Sequence, residues 1–258
     1  MTSVVSTKAK IDSSNYIGPN CIIEDNVEIG KNNKLTANIV ITGNTKIGNN
    51  NTFYPFSTIG TNPQDLKYKG EESYLYIGNN NTFREYVTVN TGTEGGGLET
   101  RIENNCLFMV SSHIAHDCII KSNVILANNA TLAGHVEIFE NAIIGGNSAI
   151  HQHVKIGKYA MIGGMSGVEK NIIPYSLYTG IRSELKGINI IGLKRKGLNS
   201  KNINLIIKVF KKIFDKSSSI QKNIDSLSDD ILILDEINEI IDFIKSNQKR
   251  GICRYIDE

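Results

Sequence analysis

The 258-residue chain has no tryptophan, only four prolines and only four cysteines (Cys21, Cys106, Cys118 and Cys253). The cysteines stand far apart and form no CxxC pair, which argues against a disulfide framework or a zinc ribbon. No run of about 18 apolar residues occurs, and the opening MTSVVSTKAKIDSSNYIG lacks a continuous apolar stretch. Neither a transmembrane segment nor a leader is expected, and the expected location is the cytoplasm. A formal net charge of only +2 gives no case for nucleic acid or an acidic membrane as a partner. Glycine and asparagine are abundant instead, the latter in clusters such as Asn49-Asn50-Asn51 and Asn79-Asn80-Asn81.

The clusters are periodic. From Ile11, every sixth residue is aliphatic or aromatic through Ile17, Ile23, Ile29, Leu35, Ile41, Ile47, Phe53 and Ile59. The count resumes at Ile77, Phe83 and Val89, restarts at Ile102, and then runs unbroken from Phe108 and Ile114 to Ile162 and Val168. An amphipathic helix needs apolar residues three and four apart, which this pattern does not supply. A six-residue unit with one obligatory apolar side chain is a short strand plus a corner, and three units make one triangular coil. Glycine and asparagine suit the corners, where positive φ is required. Successive coils then pair as parallel strands about 4.8 Å apart, each burying its apolar face against its neighbours. Handedness does not follow from the spacing.

Two segments interrupt the repeat, at about residues 61–76 (charged, with a proline and a glycine) and 91–101 (TGTEGGGLETR). Loops that leave a solenoid at fixed points are commonly functional. After Pro174 the six-residue phase ends. Ile203, Ile206, Ile207, Phe210, Ile213 and Phe214 then follow helical spacing. A second helix is expected from about 229 to 246, with Asp229 or Asp230 as a cap and Ile233, Ile237, Ile240, Ile241 and Ile244 on its apolar face. Lys208, Lys211 and Lys212 read as a solvated face. The expected architecture is an all-β solenoid over residues 1–185 and a small α-helical domain over 186–258.

All five histidines (His113, His116, His135, His151 and His153) fall in about forty residues of the uninterrupted repeat. Since aliphatics fill the inward positions, a column of histidines on one side has no packing use. His116 and His135 are expected on neighbouring coils, with His151 one coil further and His153 as scattered surface. Three chemistries fit SSHIAHDC. Imidazoles from adjacent coils could hold zinc with an open position, as in a gamma-type hydratase. Cys118 could be a nucleophile, although its inward-leaning position favours packing. A neutral imidazole could act as general base on a hydroxyl attacking an acyl group, with a backbone N–H such as that of Gly134 stabilising the oxyanion.

Four stretches, Asn62-Pro63-Gln64-Asp65-Leu66-Lys67-Tyr68, His113-Ile114-Ala115-His116-Asp117-Cys118, Ile125 to Val136 (ILANNATLAGHV) and Gly192-Leu193-Lys194-Arg195, resemble the UDP-N-acetylglucosamine O-acyltransferases. This family uses acyl carrier protein as donor and opens lipid A biosynthesis. The resemblance implies a left-handed parallel β-helix, a homotrimer with active sites between subunits, and no cofactor or metal. It implies that His116 is the general base on the glucosamine 3-hydroxyl, which attacks a (R)-3-hydroxyacyl thioester directly. It further implies the Gly134 N–H as oxyanion donor, while Asp117, adjacent to His116, could help by fixing the imidazole tautomer. Asp65, Lys67, His113, His135, His151 and Gln152 would line the acceptor and acyl clefts. Asn189 and Arg195 would hold the UDP portion, and Gly164 would leave room at the end of the acyl groove. Basic residues at 194–196 and 208–212 could meet the acidic carrier. The chain departs from the family pattern at Thr91, His153, Ile181 and Ile191. A 3-amino sugar nucleotide, giving an amide, is the alternative acceptor.

Overall fold

The computed structural model of the protein describes residues 2–181, 184–228, 231–246 and 250–253. The six-residue units are short strands, most of them two residues long, and they fall into three parallel sheets in strict rotation. Ile114, for example, lies in the first sheet, Ile120 in the second and Leu126 in the third. Register repeats every 18 residues, so that Ile114 pairs with Leu132 and Leu132 with Ile150. The three sheets enclose a triangular prism, a left-handed parallel β-helix. Its axis is filled by the counted residues, of which Ile23, Leu35, Ile59, Ile114, Leu132 and Ile156 are buried. Phe53, Phe83 and Phe108 stack along the third sheet, with ring centroids 4.7 and 4.9 Å apart. Such contacts each add about 0.5–1.5 kcal/mol beyond burial. Ile11 and Ile17, at the first coil, are only half-buried.

Most corners have one residue in the left-handed region. Between the second and third sheets it is an asparagine in six coils: Asn32, Asn50, Asn80, Asn105, Asn123 and Asn141, with φ of 56 to 62°. Asparagine tolerates this region because its short amide bonds the local backbone. The next residue forms a buried ladder: Asn15 Oδ1 accepts the Asn33 N–H (2.7 Å), Asn33 Oδ1 that of Asn51 (2.8 Å), and Asn51 Oδ1 that of Asn81 (2.9 Å). Asn81 Oδ1 ends it on the Cys106 N–H (2.8 Å). An unbonded buried amide costs about 1–3 kcal/mol, so the ladder's four bonds keep five coils in register.

Both interruptions leave the prism at the corner between the first and second sheets, from adjacent coils. One follows Thr58–Thr61 and returns at Tyr74–Ile77; the other follows Thr88–Asn90 and returns at Glu99–Ile102. They bond each other: the Ser73 hydroxyl donates to Thr91 Oγ1 (2.9 Å), and the Glu94 N–H to Glu71 Oε1 (3.1 Å).

After Pro174 a final strand, Ser176–Thr179, pairs in parallel with the third sheet, and Glu184–Ile188 closes it antiparallel. Helices α1 (Ile190–Arg195), α2 (Ser200–Ile213), α3 (Ile220–Asp225) and α4 (Asp235–Lys245) follow. Helix α2 buries Ile203, Ile206, Val209, Phe210 and Ile213 and exposes Lys208, Lys211 and Lys212, as its spacing predicts. The second expected helix is shorter: α4 starts at Asp235, leaves Ile233 exposed, and has no side-chain cap. Residues 229 and 230, expected as caps, lie outside the described residues. Short α1 and α3 carry too few apolar positions to register as periodic. Lys196, expected among the exposed basic residues, turns inward and binds Glu236 (2.5 Å) and the Tyr175 hydroxyl (3.1 Å), while Glu239 bonds that hydroxyl and Lys158. This network clamps α4 to the last coil. Among the described residues no helix is long and apolar enough to cross a membrane.

Candidate active site

Three residues beyond Ile114, Leu132 and Ile150 of the first sheet, the chain turns the corner with positive φ. In three successive coils those residues are Asp117 (58°), His135 (60°) and His153 (63°). Here the corner that asparagine fills elsewhere carries a carboxylate and two imidazoles. His116 and Gly134 each stand one residue earlier.

Asp117 is the best-held side chain of the group, 1% exposed. Its Oδ1 accepts the Thr93 N–H (2.8 Å), and its Oδ2 accepts the Thr93 hydroxyl (2.6 Å) and His116 Nδ1 (2.7 Å). Its own N–H donates to Thr100 Oγ1 (2.8 Å). Burial pushes its carboxyl upward, but the bonds from His116 and Thr93 outweigh it, and the pKa lies below the ordinary value. An ionised carboxylate only accepts, so His116 Nδ1 is the donor in this bond, and in the neutral ring the lone pair is on Nε2. The glycine-rich loop makes this possible, because a Cβ on Gly96 would lie 2.0 Å from Asp117 Cγ.

The second glycine that matters is Gly134. A Cβ there would lie 2.4 Å from His116 Cε1 and 2.5 Å from Nε2. Gly134 therefore makes room for the imidazole itself, in addition to the donor N–H that the sequence suggested. Among the described residues no acceptor bonds the Gly134 N–H. A free donor and a free lone pair thus sit side by side, the pairing required to deprotonate a nucleophile and stabilise the resulting oxyanion.

His113 projects from the first sheet one coil above Thr88, whose hydroxyl pairs with its Nδ1 (2.7 Å). Burial, then the neighbouring His116, lowers its pKa, favouring the neutral ring. His135 lies edge-on to His116, with centroids 5.0 Å apart, and its Nδ1 is 3.7 Å from Asp117 Oδ2. His116, Asp117 and His135 offer ligand atoms within 4.8 Å of one another. Asp117 Oδ2 already accepts two hydrogen bonds, however, and this is the geometry of an orienting carboxylate rather than of a zinc ligand.

The column differs from the one expected. His151 stands two residues before the corner, exposed, with Nδ1 near the Gln152 carbonyl (3.3 Å), and Gln152 is exposed beside it. His153, expected as scattered surface, stacks on His135 at 4.3 Å and 13°. Cys118 points inward, fully buried, and burial pushes its thiol up to about 12, so packing is its role. In the first loop Asp65 Oδ1 accepts the Lys67 N–H (3.0 Å), and the Lys67 side chain is exposed.

Asn189 and Arg195 lie together, but elsewhere: with Tyr159, Met161 and Ile191 they line a cleft of about 400 Å³ on the third sheet. Asn189 also caps α1, accepting the Gly192 N–H (3.0 Å) and donating to the Tyr159 carbonyl (2.8 Å). Gly164 is exposed at the corner between the third and first sheets, where a Cβ would sit 3.3 Å from the Gly146 carbonyl oxygen. One chain therefore spreads the expected residues over separate lines of the prism. Thr93, Thr100 and Gly96 were not singled out in the sequence; the only signal was the glycine run in the second interruption.

A family model described as UDP-N-acetylglucosamine O-acyltransferase, domain 2, matches residues 171–253, and a bacterial transferase hexapeptide model matches residues 99–134. The chain is 47% identical over 253 residues to an acyl-[acyl-carrier-protein]–UDP-N-acetylglucosamine O-acyltransferase of Thermodesulfovibrio yellowstonii, covering 98% of each. Among solved structures, LpxA of Acinetobacter baumannii is 42% identical with a TM-score of 0.94, covering 98% of each chain. The UDP-N-acetylglucosamine O-acyltransferase of Moraxella catarrhalis is 38% identical, with a TM-score of 0.93 and 98% of each chain covered.

Proposed function

The chain belongs to the UDP-N-acetylglucosamine O-acyltransferase family, and from that premise we propose how its residues carry out the transfer. It is an acyltransferase that moves an acyl group from acyl carrier protein to UDP-N-acetylglucosamine in lipid A biosynthesis. His116 Nε2 takes the proton of the glucosamine 3-hydroxyl as that oxygen bonds to the carbonyl carbon of a (R)-3-hydroxyacyl thioester. The Gly134 N–H receives the developing oxyanion. The C–S bond then breaks, and the proton passes from the imidazolium to the departing carrier thiolate. Asp117 holds the Nδ1 tautomer and stabilises the imidazolium.

Asp65, Lys67, His113, His135, His151 and Gln152 hold the sugar and the acyl chain, and the bare backbone at Gly164 leaves the groove open. Asn189 and Arg195 hold the UDP portion, where a guanidinium suits phosphate oxygens. Because their cleft lies on a different face from His116, these two act in a site completed by another subunit, and the working form is a cytoplasmic homotrimer. The exposed lysines of α2 are offered to the acidic carrier. No observation favours the 3-amino acceptor or the hydratase.

The observation that carries this reading is the bond of His116 to ionised Asp117 with its free nitrogen against Gly134. The test is mass spectrometry of UDP-N-acetylglucosamine incubated with enzyme and a panel of 3-hydroxyacyl carrier proteins. His116→Ala should lower the rate roughly 100-fold or more; undiminished acylation would overturn the base role. Light scattering during size exclusion should give a mass three times that of the chain, and a monomer with full activity would overturn the shared site.

A further inference from the structure

His153 stands outside the set of residues assigned above, yet the structure packs it against that set. Its ring covers one face of His135, nearly parallel at 4.3 Å. His135 meets His116 edge-on at 5.0 Å and 88°. The two contacts fix its plane from perpendicular directions. In that orientation His135 Nδ1 stops 3.7 Å from Asp117 Oδ2, beyond hydrogen-bonding distance. The same oxygen receives His116 Nδ1 at 2.7 Å and the Thr93 hydroxyl at 2.6 Å. A swing of the His135 ring by about 1 Å would let it compete for this oxygen and weaken the bond that orients the base.

We propose that His153 is a positioning residue for the transfer: by stacking on His135 it holds that ring off Asp117, so that the carboxylate is kept for His116. The backbone supports the same arrangement, since the His153 N–H donates to the Gly134 carbonyl (3.1 Å) and the His135 N–H to the His116 carbonyl (3.0 Å). Three successive corners are therefore tied in register, and the side chains stack on that frame. What the position requires is a flat ring that accepts positive φ. A charge is not needed for it.

The inference rests on the base role of His116, and the experiment separates the two. Wild type, His116→Ala, His153→Ala and His153→Phe are assayed on the full-length enzyme, with kcat and KM for the nucleotide measured separately. His153→Ala should lose about tenfold in kcat with KM changed less than about twofold, because misplacement at a reacting centre acts on the rate. His153→Phe keeps the stack and should stay within about twofold of wild type. The downfield proton resonance of the His116–Asp117 bond should move in His153→Ala and stay in His153→Phe. Full activity of His153→Ala, or a loss in His153→Phe as large as in His153→Ala, overturns the inference. Activity of His116→Ala would instead remove the reading on which it rests. Should His153→Ala fail to fold, His153→Phe decides, since a loss of activity in that folded variant contradicts the stacking role.

Discussion

Two corners of the prism share one backbone and differ in what it carries. Between the second and third sheets the positive-φ position is asparagine in six coils, with the buried Asn33–Asn51–Asn81 ladder beside it. Between the first and second sheets the same conformation carries Asp117, His135 and His153, and both loops leave at that edge. Asparagine, aspartate and histidine are all enriched in this region of φ, so the fold accepts any of the three at a corner. One edge uses this tolerance to lock the register, and the other to present ionisable groups side by side. Stability and chemistry are thus assigned to different edges of one repeat.

Putting the asparagine of one edge into the other breaks the comparison most severely. Asp117→Asn keeps a residue that accepts φ of 58° and should leave a cooperatively folding coil. Its kcat should fall by about 10⁴-fold, as when the carboxylate of a catalytic triad is neutralised; retention of more than a tenth of wild-type kcat would contradict the orienting role. Next is Gly134→Ala, whose methyl group enters the space of the His116 ring. A loss of about 100-fold in kcat is expected from displaced chemistry, and a near-normal rate would mean the imidazole has room to move. On the other edge, Asn51→Ala should lower the unfolding free energy by about 2 kcal/mol through unsatisfied partners, read from urea midpoints. Its kcat per folded molecule should not change, and a matching fall in kcat would show that the edges are not independent.

The smallest effect concerns acid. The Asp117 carboxyl lies below its ordinary value when folded, so its contribution to stability is present above the unfolded value near 3.9. That contribution is lost as pH falls through the lower folded value. Amide exchange in the loop at 91–98 should therefore quicken at that acid limit before exchange in the asparagine ladder does. Simultaneous loss would argue that Thr93 and Asp117 do not hold the loop.

Much of this organisation is legible in the sequence. The count in sixes gives the three sheets, the loop positions and the buried role of Cys118, and HIAHDC with ILANNATLAGHV leads to the family that the relatives bear out. The histidine column was readable too, yet its register needed the corner. Three residues beyond Ile114, Leu132 and Ile150 stand Asp117, His135 and His153, while His151 falls one position past the aliphatic. The Thr93 bonds to Asp117 were not readable, because they depend on a loop folding back across a coil boundary. Helix α4 begins late because Ile233 fits the helical period but packs against nothing that buries it.

The Thr93–Asp117 pair also has a consequence for how the chain is assembled. Its partners are 24 residues apart, and the anchor belongs to the coil laid down after the loop. In a chain emerging N-terminus first, the ladder asparagines through Asn81 and the glycine-rich loop all precede residue 117. The loop closes only when the next coil docks, and the base is oriented in the same event. Growth of the solenoid thereby orders the loop, and a chain truncated before Asp117 would lack the anchor that holds it.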